Sequence, residues 1–132
     1  MDIHAYLGFN GDCEAALAYY EEALGAKTTF LMRYRAAPET QGPPDWAEKI
    51  IHARFEIGSY VLMAGDSPPG AYIRPAGISI SISLNNEARA AKVFAALAAG
   101  GEVRMPLQKT FWASAFGMTR DKFGIPWMVN CE

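Results

Sequence analysis

The feature that most constrains this chain is that it repeats itself. Tyr20 and Phe94 stand 74 positions apart (94 − 20), as do Ala5 and Ser79, and Tyr60-Val61-Leu62-Met63 matches Ile125-Pro126-Trp127-Met128 at an offset of 65 (125 − 60). The nine residues missing from the second half (74 − 65) correspond to a loop from Ala36 to Trp46, rich in Pro38, Gly42, Pro43 and Pro44, that the first half alone carries. A unit of this size cannot close its sheet alone. The repeat therefore predicts two modules, residues 3–66 and 77–131, that pair through their sheets around a shared concave surface. At 132 residues they make one domain.

Within the first module, residues 3–9 read as a strand, and Gly11-Asp12 opens a helix to about Leu24 with Asp12 as N-cap and Gly25 as the stop. Ala16, Leu17, Tyr20 and Leu24 recur at helical spacing and form its buried stripe. Residues 26–35 and 49–57 follow as strands, the latter alternating Ile51, Ala53, Phe55 and Ile57 against His52, Arg54 and Glu56. Gly58-Ser59 turns the chain into a strand from Tyr60 to Gly65. The second module opens on a strict alternation, Ile78, Ile80, Ile82 and Leu84 against Ser79, Ser81 and Ser83, and Asn86 caps a helix over 86–99. Residues 111–120 and 125–131 form a closing hairpin about Asp121 and Gly124. On its return strand Trp127, Val129 and Cys131 face one side, and Pro126, Met128 and Asn130 face the other. Pro126 marks a strand start or a sheet edge. The fold class is α+β, with two βαβββ modules forming a concave cleft.

Charge and cysteine content exclude several functions. A net charge of −2 with no Lys/Arg cluster gives no electrostatic footprint for nucleic acid. No apolar run approaches the ~20 residues of a membrane span, so no membrane partner and a cytoplasmic setting are expected. Cys13 and Cys131 form no CxxC and read as free thiols.

A tandem βαβββ repeat resembles the vicinal oxygen chelate superfamily of glyoxalase I, extradiol dioxygenases and the fosfomycin and bleomycin resistance proteins. Phe9 to Gly25 (FNGDCEAALAYYEEALG), Ile57-Gly58 with Leu62-Met63-Ala64-Gly65-Asp66, and above all Phe111-Trp112-Ala113, Phe116-Gly117 and Asp121-Lys122-Phe123-Gly124-Ile125-Pro126-Trp127 resemble the PhnB-like proteins within it. Such proteins often carry a methyltransferase label, but no strand here leads into a Gly-rich nucleotide loop. In metal-dependent members, His or Glu side chains on the first and last strands of each repeat hold a divalent ion. Carried over by the resemblance, those positions fall on Ala5, Met63, Ser79 and Met128, none a good ligand, so no metal and no cofactor are expected. His4 lies beside Ala5 on the opposite face, and a one-residue slip would reverse that.

Facing parity puts His52, Arg54, Glu56, Met63, Ser79, Ser81, Ser83, Met128 and Asn130 on the concave side, with Trp112 and Ser114 beside them. Histidine is the side chain suited to base chemistry at physiological pH, and a neighbouring Glu56 would orient His52 as a general base. These charged residues equally fit a solvated or dimer-buried stripe. Met63, Ser79, Ser81, Trp112, Ser114, Met128 and Asn130 are the expected ligand contacts, and Tyr34 or Trp46 would touch ligand from a mobile loop over residues 36–46. Two functions fit: a metal-free binding protein for a small organic molecule, or a lyase, isomerase or dioxygenase-type enzyme using a divalent metal, with His52, Glu56 and Asp66 or Glu102 as a relocated ligand set. Short sheets with exposed edges, together with the resemblance, imply a homodimer.

Overall fold

The computed structural model describes residues 1–37 and 43–132. Its first compact unit, Met1–Ile73, contains β1 (Tyr6–Phe9), α1 (Cys13–Leu24), β2 (Lys27–Arg33), β3 (Ile50–Ile57) and β4 (Tyr60–Asp66). The second unit, Arg74–Glu132, contains β5 (Ile80–Leu84), α2 (Glu87–Ala98), β6 (Glu102–Gln108), β7 (Ala115–Arg120) and β8 (Pro126–Cys131). The sheets run β1-β4-β3-β2 and β5-β8-β7-β6, so each module is βαβββ with its first strand lying parallel to its last. This is the α+β architecture that the repeat predicts.

Alternation along the strands decides which face is core. On β3, Ala53 and Phe55 are fully buried, and the Tyr20 ring of α1 stacks on Phe55 at 5.9 Å and 14°. On β8, Trp127, Val129 and Cys131 are fully buried while Met128 and Asn130 face the half-open side. α2 buries Ala90, Phe94 and Leu97. Its close approach requires Gly117, where a Cβ would lie 2.6 Å from Phe94 Cε1. Removing any of the large aromatics would cost about 3–5 kcal/mol.

Two buried aspartates organise the turns. Asp66, at the end of β4 and 4% exposed, accepts hydrogen bonds from the backbone N–H of Gly11 (2.9 Å) and Cys13 (2.9 Å) through Oδ1, and from Ile50 (2.8 Å) through Oδ2. It does for α1 what Asp12 was expected to do. Asp12 occupies the N-cap position but makes no side-chain cap bond, and its Oδ1 instead accepts from Asn10 N–H at 3.3 Å. Asp121 accepts from Phe123 N–H (2.9 Å) and Ile125 N–H (3.1 Å) and from Trp127 Nε1–H (2.8 Å), which satisfies the indole and lets Trp127 sink into the core. Asn86 caps α2 as expected, accepting from Arg89 N–H at 2.9 Å.

Several boundaries differ from expectation. β1 begins at Tyr6 and β5 at Ile80, leaving Ile78 78% exposed and Ser79 ahead of the strand. β7 begins at Ala115, so Phe111 to Ser114 are not strand. Of the two readings of Pro126, strand start holds, since it opens β8, and sheet edge does not, since β8 is central. Of the expected mobile loop, residues 38–42 lie outside the described residues. Its flanks are single 3-10 turns, Tyr34–Ala36 and Pro44–Trp46. Tyr34 is not a ligand contact: it is 3% exposed, and its hydroxyl donates to the Asp66 carbonyl at 2.6 Å. Trp46 packs over the Gly11 turn, where a Cβ would meet its Cη2 at 3.0 Å.

The register also corrects the repeat. Tyr6 pairs with Met63, and Ser81 with Met128. The helices keep the 74-residue offset, shown by the N-cap positions Asp12 and Asn86, but the strands require 75 (81 − 6). Two residues separate β1 from its N-cap and one separates β5 from its own, which accounts for the slip.

Two outcomes follow for stability. Asp66→Ala leaves three N–H groups, two of them buried, without their acceptor and lowers unfolding free energy in urea by about 3 kcal/mol, whereas Asp12→Ala costs less than about 1 kcal/mol. Equal losses would contradict the capping assignment. Cys13 and Cys131 are both buried, and burial first, then the nearby Asp66 carboxylate, pushes the Cys13 thiol far above its ordinary range. Neither thiol reacts with a disulfide reagent at pH 8 in the native protein, and both react in denaturant.

Candidate functional site

In the second unit a turn supports the site. Thr110 N–H donates to the Ala113 carbonyl (3.1 Å) and Ala113 N–H donates to Thr110 Oγ1 (3.1 Å), which leaves Phe111 and Trp112 as its two central residues. Trp112 then folds edge-on against Phe116 (5.3 Å, 67°), and Phe111 packs edge-on against Trp112 (4.7 Å, 81°). Phe116 is buried beneath this stack, while Trp112 is 51% and Phe111 97% exposed. The space beside it, about 670 Å³, is lined by Lys109, Thr110, Phe111, Trp112, Ala113, Ser114, Asn130 and Glu132. Ser114 Oγ donates toward the Cys131 carbonyl at 3.1 Å, so its lone pairs remain to accept from a ligand. Three of the expected contacts, Trp112, Ser114 and Asn130, thus come together. Lys109, Thr110 and Phe111 were missed, although a Thr whose hydroxyl can accept from the N–H three residues on is a recognisable turn signal.

The remaining expected residues of this unit lie along the same sheet face. Ser81 and Met128 are register partners, as are Ser83 and Asn130. Ser79 stands two residues before Ser81 and outside β5.

On the first sheet His52 is placed by rings and not by a carboxylate. Tyr6 stacks on it (5.8 Å, 23°), Phe30 tilts against it (5.8 Å, 50°), and His52 Nδ1 lies 3.5 Å from the Tyr6 hydroxyl. The Tyr6 hydroxyl donates to the Ile51 carbonyl at 3.3 Å, and burial raises its pKa above the ordinary phenol value, so it stays protonated at neutral pH. Glu56 shares this face but stands four residues along the strand, about 13 Å away. Its register partner is Lys27. The expected His52–Glu56 pairing therefore does not form. Met63 lies on the same face as His52, beside Tyr6.

Register changes two of the four positions that the resemblance carries over for a metal. With Met63 and Met128 kept, their partners on the first strands are Tyr6 and Ser81, in place of Ala5 and Ser79. A phenol, two thioethers and a hydroxyl do not fit a divalent ion that takes imidazole and carboxylate donors. Asp66 offers no alternative, since both its oxygens accept buried backbone N–H groups. Among the described residues, no three His, Cys, Asp or Glu side chains cluster to hold a metal. His4 turns to the Val61 carbonyl, with Nδ1 at 3.2 Å. Nor, among the described residues, is any helix long and apolar enough to cross a membrane.

The chain is 33% identical to protein YjdN of Escherichia coli K12, covering 98% of this chain and 95% of that one. The crystal structure of protein PA1353 from Pseudomonas aeruginosa superposes with a TM-score of 0.89 at 46% identity, covering 100% of this chain and 98% of that one. A PhnB protein from Bacillus cereus, described as a 3-demethylubiquinone-9 3-methyltransferase, gives 0.85 at 25% identity over the whole of both chains. The profile of one family matches residues 3–129, nearly the full repeat. The chain belongs to the Glyoxalase/Bleomycin resistance protein/Dioxygenase superfamily, and within it is PhnB-like.

Proposed function

We propose that this protein binds a small organic molecule in the manner of the resistance proteins, without a metal ion and without turning its ligand over. The observation that carries this reading is the pocket of about 670 Å³ beside the Phe111–Trp112–Phe116 stack, with Ser114, Asn130 and Lys109 as its polar rim. It has the balance of a ligand site: an aromatic wall for contact area and a few polar groups for orientation. On the same sheet Met128, polarizable and unbranched, suits an adaptable apolar contact, and Ser81 supplies a hydroxyl beside it. The metal-dependent lyase, isomerase or dioxygenase reading lacks imidazole and carboxylate donors at the four register positions, and Glu56 stands too far along β3 to orient His52 as a base. The methyltransferase description of the Bacillus protein is not carried over, since the β1–α1 turn, Asn10-Gly11-Asp12, is no glycine-rich nucleotide loop.

We further propose that the protein is a cytoplasmic homodimer. Strand β2 ends its sheet and leaves one row of backbone N–H and C=O groups without a strand partner, an edge of the kind that proteins cover. Two free, buried thiols accord with a reducing compartment.

Native mass spectrometry of untagged protein, gently desalted, should reveal a co-purified small molecule. Trp112→Ala should lose it, because a lost aromatic contact weakens binding about tenfold or more. Full retention of the same molecule by Trp112→Ala would overturn the assignment of the pocket, and metal-stimulated turnover of a glyoxalase-type substrate would overturn the binding-protein reading. Light scattering at micromolar concentration should give twice the 14.4 kDa chain mass, and a monomer mass would contradict the dimer.

A further inference from the structure

A solvent-facing side of a sheet ordinarily alternates charged and small polar residues, and the open side of the first sheet does not. Tyr6 on β1, His52 on β3 and Phe30 on β2 set three rings in contact across three strands, with Met32 and Met63 as the register partners of His52 and Tyr6. Tyr6 is 54% and Phe30 45% exposed, so their faces are open to solvent. The arrangement is built and not accidental. Gly65 stands beneath it, and a Cβ there would lie 2.6 Å from the Tyr6 hydroxyl and 2.8 Å from the Ile51 carbonyl that this hydroxyl meets. Only glycine lets Tyr6 lie down across the sheet against His52.

One cation completes the face. Arg54 follows His52 by two residues, so it points to the same side, and its register partners are Phe30 and Met63. It is exposed and has no ion pair among the described residues. Glu56 and its register partner Lys27 lie on the same side with one charge of each sign, so Arg54 leaves this part of the face one positive charge in excess. A planar guanidinium beside open ring faces is complementary to a flat ring bearing a carboxylate: the fork takes both oxygens while the ring stacks.

We propose that this face binds a planar aromatic carboxylate, stacked on the Tyr6–His52–Phe30 tier and paired through its carboxylate with Arg54. The inference rests on residues of the first sheet alone and does not draw on the pocket of the second.

The chain has only two histidines, His4 and His52, so imidazole resonances of histidine-labelled full-length protein read the site directly. Titration with 2-naphthoate should move the His52 signals saturably and leave His4 and the Trp112 indole unmoved. Neutral 2-naphthamide should bind about tenfold more weakly, a preference that Arg54→Gln removes. Arg54 lies on the open face, so that variant keeps its fold; its unchanged urea midpoint is the control. An unmoved His52 at millimolar naphthoate, equal binding of the two probes, or retained carboxylate preference in Arg54→Gln would overturn the proposal. So would movement of the Trp112 indole without His52, which would place the probe in the second sheet's pocket and leave the proposed function standing.

Discussion

One carboxylate holds the first module together. Asp66 gathers backbone N–H groups from the β1–α1 turn, the first turn of α1 and the start of β3, while its own carbonyl accepts the Tyr34 hydroxyl from the end of β2. Buried amides without acceptors each cost about 1–3 kcal/mol, and a single side chain answers for two of them and for the part-buried amide of Gly11. Because Asp66 ends β4 and grips the residues just after β1, it also fixes these two parallel strands in register. That register puts Tyr6 beside Met63 and brings the Tyr6 ring onto His52.

The second module solves the same problem differently. At the 65-residue offset the counterpart of Asp66 is Cys131, which cannot bridge backbone amides, and the helix instead caps itself through Asn86. The freed constraint reappears in the hairpin, where Asp121 accepts two turn amides and the Trp127 indole N–H. This explains why Asp-Lys-Phe-Gly-Ile-Pro-Trp reads as a motif. Asp121 serves both the turn and the core, and Gly124 supplies the positive φ of 94° that the turn demands.

Most of the fold was legible because it lies in periodicities. Facing parity placed Ala53, Phe55, Trp127, Val129 and Cys131 in the core correctly, and the helix anchors Tyr20 and Phe94 fell where the repeat put them. What escaped was non-local. A one-residue difference in the strand-to-helix turns shifts the first-strand position from Ala5 to Tyr6, and nothing in an ungapped comparison reveals it. Asp12 looked like the N-cap because capping is usually local, whereas the true acceptor lies more than fifty residues away. His52 and Glu56 share a face, but parity does not measure the distance along it. Trp112 was placed beside the site while its strand was misjudged, because the Thr110–Ala113 turn depends on a side chain–backbone bond that alternation does not register.

The reading as a binding protein depends on what stands at four register positions, Tyr6, Met63, Ser81 and Met128. Elemental analysis of untagged protein, purified without chelator, tests it most directly. The account predicts substoichiometric zinc, nickel, manganese and iron that dialysis removes. One tightly held equivalent of any of them per chain would contradict it and restore the metal-dependent enzyme.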